Sequence, residues 1–351
     1  MSIFVQPSAA AGFYSFLGSI TAGPGDTLNL PEGQVNIGGN GKGYLMDAQA
    51  NWSPLALGNH DGSVTALTLG ANLYIYACAH ESGVAKMVAS LNATYPSGYT
   101  AQTSRKVGGC HIGRIRGVAN RYNLAYVPVV GIVPNSCWDL QHRPTCDPSG
   151  MVEVIPGALW ADIYLNSEGG GTWPENVPVS AYGAMPLRDD IYSRSDFHQL
   201  ARNAGKRLPT LEEWLCLAEG APQGADGNND YAWSRTTNTG PTTTGSVAKS
   251  VSQLNLVDTV GNLWDWIDSH YDLNIGGYAW LAATVNAGRD AAIPRGQAYT
   301  SAASGTSGWR AWLGGGAWAV GARCGARCLY SHALPWHAFG DVGLRCVCGA
   351  L

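Results

Sequence analysis

Arg207-Leu208-Pro209-Thr210-Leu211-Glu212-Glu213-Trp214 opens a helix in a chain that otherwise reads as strand and turn. Thr210 and Glu213 have the spacing of a capping box, in which hydroxyl and carboxylate each satisfy an orphan N–H of the first turn. Leu211, Trp214, Leu215 and Ala218 then fall on one face, and Gly220 stops the run. Just upstream, Phe197, Leu200, Ala201 and Ala204 repeat at helical spacing behind Ser195, the expected N-cap. Two consecutive amphipathic helices are expected, and no other region holds a helical period.

Around these helices the pattern is that of strands. Apolar runs at 72–78, 124–133 and 159–165 alternate with clusters of Gly, Pro, Asn and Ser. Further strands are expected at 64–69, 73–79, 86–91 and 122–133, with Leu28-Asn29-Leu30-Pro31-Glu32-Gly33 reading as strand then turn. With 46 Gly, 18 Pro and 13 Trp but only 13% charged residues in 351, the composition suits a loop-rich, β-heavy protein.

The length implies two or three domains. Residues 1–45 read as a small β element or assembly arm and 46–136 as a compact β-sandwich. Trp138-Asp139-Leu140 and two prolines mark a change of pattern, so a third domain is placed at 137–351. The fold class expected is α+β, a β-rich N-terminal region preceding a domain with two helices and extensive irregular structure. The Gly- and Trp-rich stretch after the helices is long enough that function is expected there.

Composition excludes several functions. Net charge is −4 and no block of like charges occurs, so nucleic acid is not an expected partner. No apolar stretch is long enough to span a membrane, and the N-terminus lacks the basic flank of a signal peptide. Nine cysteines without a repeated CxxC spacing argue against a zinc ribbon, and small buried thiols are the expected reading. Asp226, Asn228 and Asp230 begin like a calcium loop, but Tyr231 and Thr237 replace its Gly and Glu, so a solvated Asn/Asp turn is expected.

Four motifs in order carry a family resemblance. They are the helix opening above, Val260-Gly261-Asn262-Leu263-Trp264-Asp265-Trp266, Gly315-Gly316-Ala317-Trp318 and Gly343-Leu344-Arg345-Cys346. Together they resemble the formylglycine-generating-enzyme (sulfatase-modifying-factor) branch of the C-type lectin fold. Each Trp supplies bulk to a core poor in regular structure, and each Gly permits close backbone approach. Two families share the motifs: copper-dependent cysteine oxidases, and variable proteins diversified by retroelements, including phage tropism determinants. Gly325, Arg327, Pro335, Gly343, Arg345, Val347 and Cys348 follow the second pattern without a gap. Upstream, residues 136–165 are similar to the start of that lectin domain and 99–109 to the sandwich preceding it.

The resemblance implies a variable region at about 315–351 and a ligand-binding set at Ala317, Ala319, Gly321, Arg323, Tyr330, His332, Ala333, His337, Phe339, Asp341 and Val342. Alternation at 317, 319, 321 and 323, and again at 337, 339 and 341, suits strand-like segments that aim side chains one way. Adenine-directed mutation of AAC or AAT codons never yields Lys, Glu, Gln, Met or Trp, and none of these positions holds one. Lys, Glu, Gln and Met are absent from the whole stretch Gly315 to Leu351.

The function implied is display of variable side chains, with Tyr330, Phe339 and Trp336 as anchors, to a protein or other surface molecule of a host cell. No cofactor is needed, with a structural calcium left open; the assembly compatible with the resemblance is a homo-oligomer, a trimer, on a virion or a bacterial cell. The alternative is a formylglycine-generating-type oxidoreductase using Cys324 and Cys328, whose spacing is one residue short of that family's pair. His332 and His337 with Asp341 offer metal or acid/base chemistry, yet such loop residues are as common at recognition surfaces. No nucleophile motif occurs.

Overall fold

A computed structural model of the chain describes residues 12–38, 42–188, 190–272, 278–282, 297–301, 309–336 and 338–351, with backbone only at 272, 278–282, 297–301 and 332. The chain divides into two compact units, Met1–Gly113 with Val130–Pro144 and Ala350–Leu351, and Arg114–Val129 with Thr145–Gly349.

Among its described residues the first unit is mostly β, with one 3-10 turn at Pro134–Ser136. Strands β1 (Tyr14–Leu17), β2 (Thr21–Ala22), β3 (Leu28–Leu30), β4 (Glu32–Asn36), β5 (Gly43–Met46) and β6 (Gln49–Trp52) form two three-stranded sheets, β1-β4-β5 and β2-β3-β6. A larger sheet orders β7 (Asn72–Cys78), β8 (Lys86–Ser90), β9 (Ser104–Ile115) and β10 (Val129–Ile132) as β10-β9-β7-β8, with β11 (Trp138–Asp139) also on β9. Strand β7 is central and buried on both faces, which is why its sequence is a continuous apolar run rather than an alternating one. Phe16, Leu28, Val35, Met46, Trp52, Ile75, Met87 and Ile112 bring all three sheets into one core.

Two expected strands are corrected. Residues 64–69 are bends, because Asp61 gathers the hydroxyl and N–H of Ser63 and the hydroxyl of Ser90 into a side-chain-built turn. Only the end of the 122–133 run, β10, is extended. Before it the chain wraps the buried guanidinium of Arg116, which donates to the carbonyls of Asn120, Asn123 and Tyr126. A buried cation needs such partners, and an extended chain cannot supply three carbonyls at one point.

The second unit opens with β12 (Met151–Ile155), β13 (Leu159–Asp162), β14 (Asn166–Ser167) and β15 (Val179–Ser180). Helix α1 (Arg194–Asn203) is capped by Ser193, not Ser195. Asp196, three residues on, completes a capping box with Ser193, whereas His198 stands three residues after Ser195. Helix α2 (Leu211–Ala218) has the expected Thr210/Glu213 box, and Arg207 grips Glu213 through two nitrogens at 2.6 and 2.7 Å.

Strands β16 (Trp264–Asp272), β17 (Tyr278–Ala282), β18 (Gln297–Ser301), β19 (Trp309–Gly314), β20 (Leu329–Ala333), β21 (Val342–Gly343) and β22 (Val347–Gly349) complete the unit. Their sheets are β20-β19-β16-β21, β12-β13-β22 and the pair β17-β18. Phe197 and Leu200 of α1 pack with Trp266, Leu313, Val342 and Leu344, while Trp214 and Ala218 of α2 pack on Ile267. Among the described residues, no helix is long and apolar enough to cross a membrane.

Candidate functional site

The segment 314–348 is fixed at both ends by residues of the sequence motifs. At its start, Gly314, Gly315 and Gly316 pass directly over Trp214, the Thr259 carbonyl and Cys324, where a Cβ would collide; Gly315 and Gly316 also have φ of 94° and 90°. At its end, Arg345 is fully buried. Its Nε lies 3.2 Å from Asp265 Oδ2, and its terminal nitrogens donate to the carbonyls of Asp162, Ile163 and Val257 at 2.8–3.0 Å. Trp214 Nε1 donates to the same Asp265 oxygen at 3.1 Å, so three motifs meet at one carboxylate. Burial pushes the Asp265 carboxyl above its ordinary range, opposed by the Arg345 charge.

Between these ends the backbone is not strand-like where alternation suggested it. Residues 318–319 turn and Gly321–Arg323 forms a 3-10 helix. This loop rests on residues 223–240: Asp226 Oδ1 accepts the Ala322 N–H at 2.9 Å, the Ser234 carbonyl accepts that of Gly321, and Asn238 Nδ2 donates to the Trp318 carbonyl. Gln223 also donates to the Ala322 carbonyl. Gly321, with φ 69°, sits where a Cβ would strike the Asp226 carboxylate. The Asn/Asp turn expected to be merely solvated is therefore the cradle of the loop. Its density of Asn and Asp was the available signal, but only the fold shows what it holds.

The implied binding positions divide by burial. Arg323, Tyr330 and Phe339 are exposed, and Ala319 and Asp341 are half-buried. Ala317, Gly321, Ala333 and Val342 are buried, although the resemblance places them in the ligand-binding set. The backbone of His332 lies in β20, and His337 falls outside the described residues. Tyr330 and Val342 stand on the two edge strands of the four-stranded sheet, and Trp264 of β16 touches both regions. Its ring is 5.9 Å from that of Tyr330, and its N–H donates to the Asp341 carbonyl at 3.0 Å. Burial also raises the Asp341 carboxyl.

Trp336, an expected anchor, belongs to an aromatic group whose other members, Trp309 and His270, sequence reasoning missed. Trp309, exposed at the start of β19, lies edge-on to Trp336 with centroids 6.0 Å apart, and to His270 at 5.5 Å. Nothing in local periodicity marks these residues, because they meet only through the β16-β19 pairing and the chain after β20.

Burial pushes Cys324 up to about 12 and also raises Cys328. Among the described residues, no group of three or more His, Cys, Asp or Glu is placed to hold a metal ion.

Comparison with known proteins now has geometry to meet. Residues 20–139 match the family model described as the Mtd second domain, and residues 191–350 match the sulfatase-modifying factor enzyme 1-like domain. The chain is 31% identical over 305 residues to the tail fiber receptor-binding protein of Bordetella phage BPP-1, covering 82% of this chain and 74% of that protein. Among solved structures it is similar to the Major Tropism Determinant M1 variant, with a TM-score of 0.68, 24% identity and coverage of 99% and 85% of the two chains. The P3c variant gives a TM-score of 0.66 at the same identity and coverage. The C-type lectin fold expected from the four motifs is thus the fold present, β-rich with two helices.

Proposed function

The chain belongs to the family of the tail fiber receptor-binding protein of Bordetella phage BPP-1, and from that premise we propose that it is a receptor-binding tropism protein whose C-terminal surface is diversified by a retroelement. Its partner is a protein or other surface molecule on a host cell. The observation that carries this reading is the separation of duties within 314–348: Gly314, Gly315, Gly316 and the buried Arg345 set the backbone, while Arg323, Tyr330 and Phe339 project from it. Diversity at such positions alters recognition without asking the core to repack.

Within the implied set, Ala319, Arg323, Tyr330, His332, His337, Phe339 and Asp341 are proposed to contact ligand. Ala317, Gly321, Ala333 and Val342 would then shape the floor beneath them. Trp309 and Trp336 supply an aromatic margin, suited to interfaces because large rings bury much area at low entropic cost. Residues 46–136 are read as a β-sandwich preceded by a β element or assembly arm at 1–45, with 137–351 the lectin-like domain.

A formylglycine-generating activity is disfavoured by the spacing of Cys324 and Cys328, one residue short of that family's pair. The match of residues 191–350 to that domain is read as shared fold. The test is a library randomised at the seven proposed contact positions, scored by thermal melting and by adsorption to host cells. Members that fold alike but differ in the cells they bind uphold the reading; a library that mostly fails to fold sinks it. Sequencing beside the gene supplies a second check, a near-copy of the 3′ end differing at adenines.

A further inference from the structure

Two cysteines far apart in sequence are brought together in the second unit. Cys146 lies just before β12 and Cys348 in β22, 202 residues later, yet their sulfurs are 3.0 Å apart. Backbone holds them there: the Thr145 N–H donates to the Gly349 carbonyl at 3.0 Å, and Cys348 is registered opposite Trp160 of β13. The Met151 sulfur is 3.5 Å from that of Cys146. Cys348 is buried and Cys146 half-buried, so one member of the pair is open to a small reagent.

We infer that Cys146 and Cys348 are a disulfide-forming pair, a covalent staple that closes when the protein meets an oxidising, low-molecular-weight disulfide. The inference does not depend on the receptor-binding reading. Both strands are already held in place by neighbouring backbone hydrogen bonds, so closure asks little movement of the native state. The loop closed is most of the unit, and a longer loop constrains the unfolded chain more.

The surroundings place the charge on Cys348, while the hydrogen bond between the two sulfurs and burial raise Cys146, so a proton transfer precedes attack. A hydrogen bond from Cys146, together with one from Thr145 and the nearby Lys206 ammonium, outweighs burial and brings Cys348 down to about 7. The pair therefore carries a shared proton and one negative charge near neutral pH. When the proton passes to Cys348, the Cys146 thiolate attacks the small disulfide, forming a mixed disulfide and releasing one small thiolate. That thiolate takes the proton from Cys348, whose sulfur then attacks Cys146 and expels the second small thiolate. Two cysteines are oxidised, one small disulfide is reduced, and charge is conserved. Cys346, two residues earlier, is fully buried and held well above its ordinary range, which leaves it a spectator.

The structure also tells the pair from its rival. Cys110 and Cys137 are hydrogen-bonded neighbours in the first unit, but both are buried, so neither is open to a small reagent as Cys146 is. The experiment treats the full chain, purified under reductant, with excess oxidised glutathione, then maps peptides by mass spectrometry without reduction. The expected result is one linked peptide pair containing Cys146 and Cys348, two fewer titratable thiols, and a melting point raised by several degrees. Cys146→Ser and Cys348→Ser should each lack both the link and the rise. A stalled glutathione adduct on Cys146, a link through Cys110 and Cys137 alone, or a melting rise that persists in both variants would overturn the assignment.

Discussion

Asp265 and Arg345, 80 residues apart in sequence, meet as a fully buried ion pair with Nε 3.2 Å from Oδ2. The pair ties two motifs that local sequence leaves unrelated, and it fixes the far end of the proposed display segment.

Arg345→Leu should therefore destabilise the protein by about 3–5 kcal/mol, because it leaves the buried Asp265 carboxyl without its counter-charge and three carbonyls without a donor. Chemical denaturation measures this, and an unchanged midpoint would show that the pair does not organise the fold. Leu replacing both partners should cost less than Leu replacing Arg345 alone, since well-packed apolar groups avoid the desolvation of a lone charge.

Gly321→Ala should cost roughly 1–3 kcal/mol, combining strain at φ 69° with displacement of the Asp226 carboxylate. Asp226→Ala should lower the thermal midpoint less while loosening residues 321–323, read as faster amide exchange at Ala322. Protection at Ala322 that survives in Asp226→Ala would remove the cradle from the account.

Arg323→Ala, Tyr330→Ala and Phe339→Ala should each change stability by no more than about 0.5 kcal/mol if these exposed side chains are display groups. Loss of Tyr330 or Phe339 should weaken host-cell binding by about 2 kcal/mol, the range of an aromatic anchor. Were Phe339→Ala instead to unfold the protein with binding per folded molecule intact, the residue would belong to the core.

His111 is buried beside Asn72, Nδ1 to Oδ1 2.8 Å, and burial lowers it to about 3 from an ordinary value of 6.5. The unfolded chain binds the proton more readily, so this contribution to stability is complete above pH 6.5 and is lost as pH falls toward 3. Between pH 6.5 and 5 the loss should be about 2 kcal/mol. In His111→Asn the melting point should vary less with pH across that window; an equal slope in both proteins would rule His111 out as the source.

Much of the lectin-like unit was readable from residues alone. The Thr210/Glu213 box needs only its neighbours, so the start of α2 was legible, and a run such as Asn72–Cys78 announces a central strand by its continuous apolarity. The ordered Trp and Gly motifs carried the family because each must fill, or vacate, a fixed volume. Ser193 was passed over for Ser195, although Asp196 three residues on was the clue.

What local pattern could not decide was set by contacts between distant segments. The alternation from Ala317 to Arg323 has the period of a strand, yet Asp226, 96 residues before Ala322, and the Ser234 carbonyl draw this stretch into a turn and a 3-10 helix. In the same way Arg116 folds 118–126 around its charge, and the four-stranded sheet buries Ala333 and Val342 while leaving Tyr330 in solvent. The sequence by itself determined the family, the existence of the two helices and the motifs that fix both ends of residues 314–348. Which side chains reach solvent was decided only by tertiary structure, because burial depends on what packs against a residue, and those partners lie far along the chain.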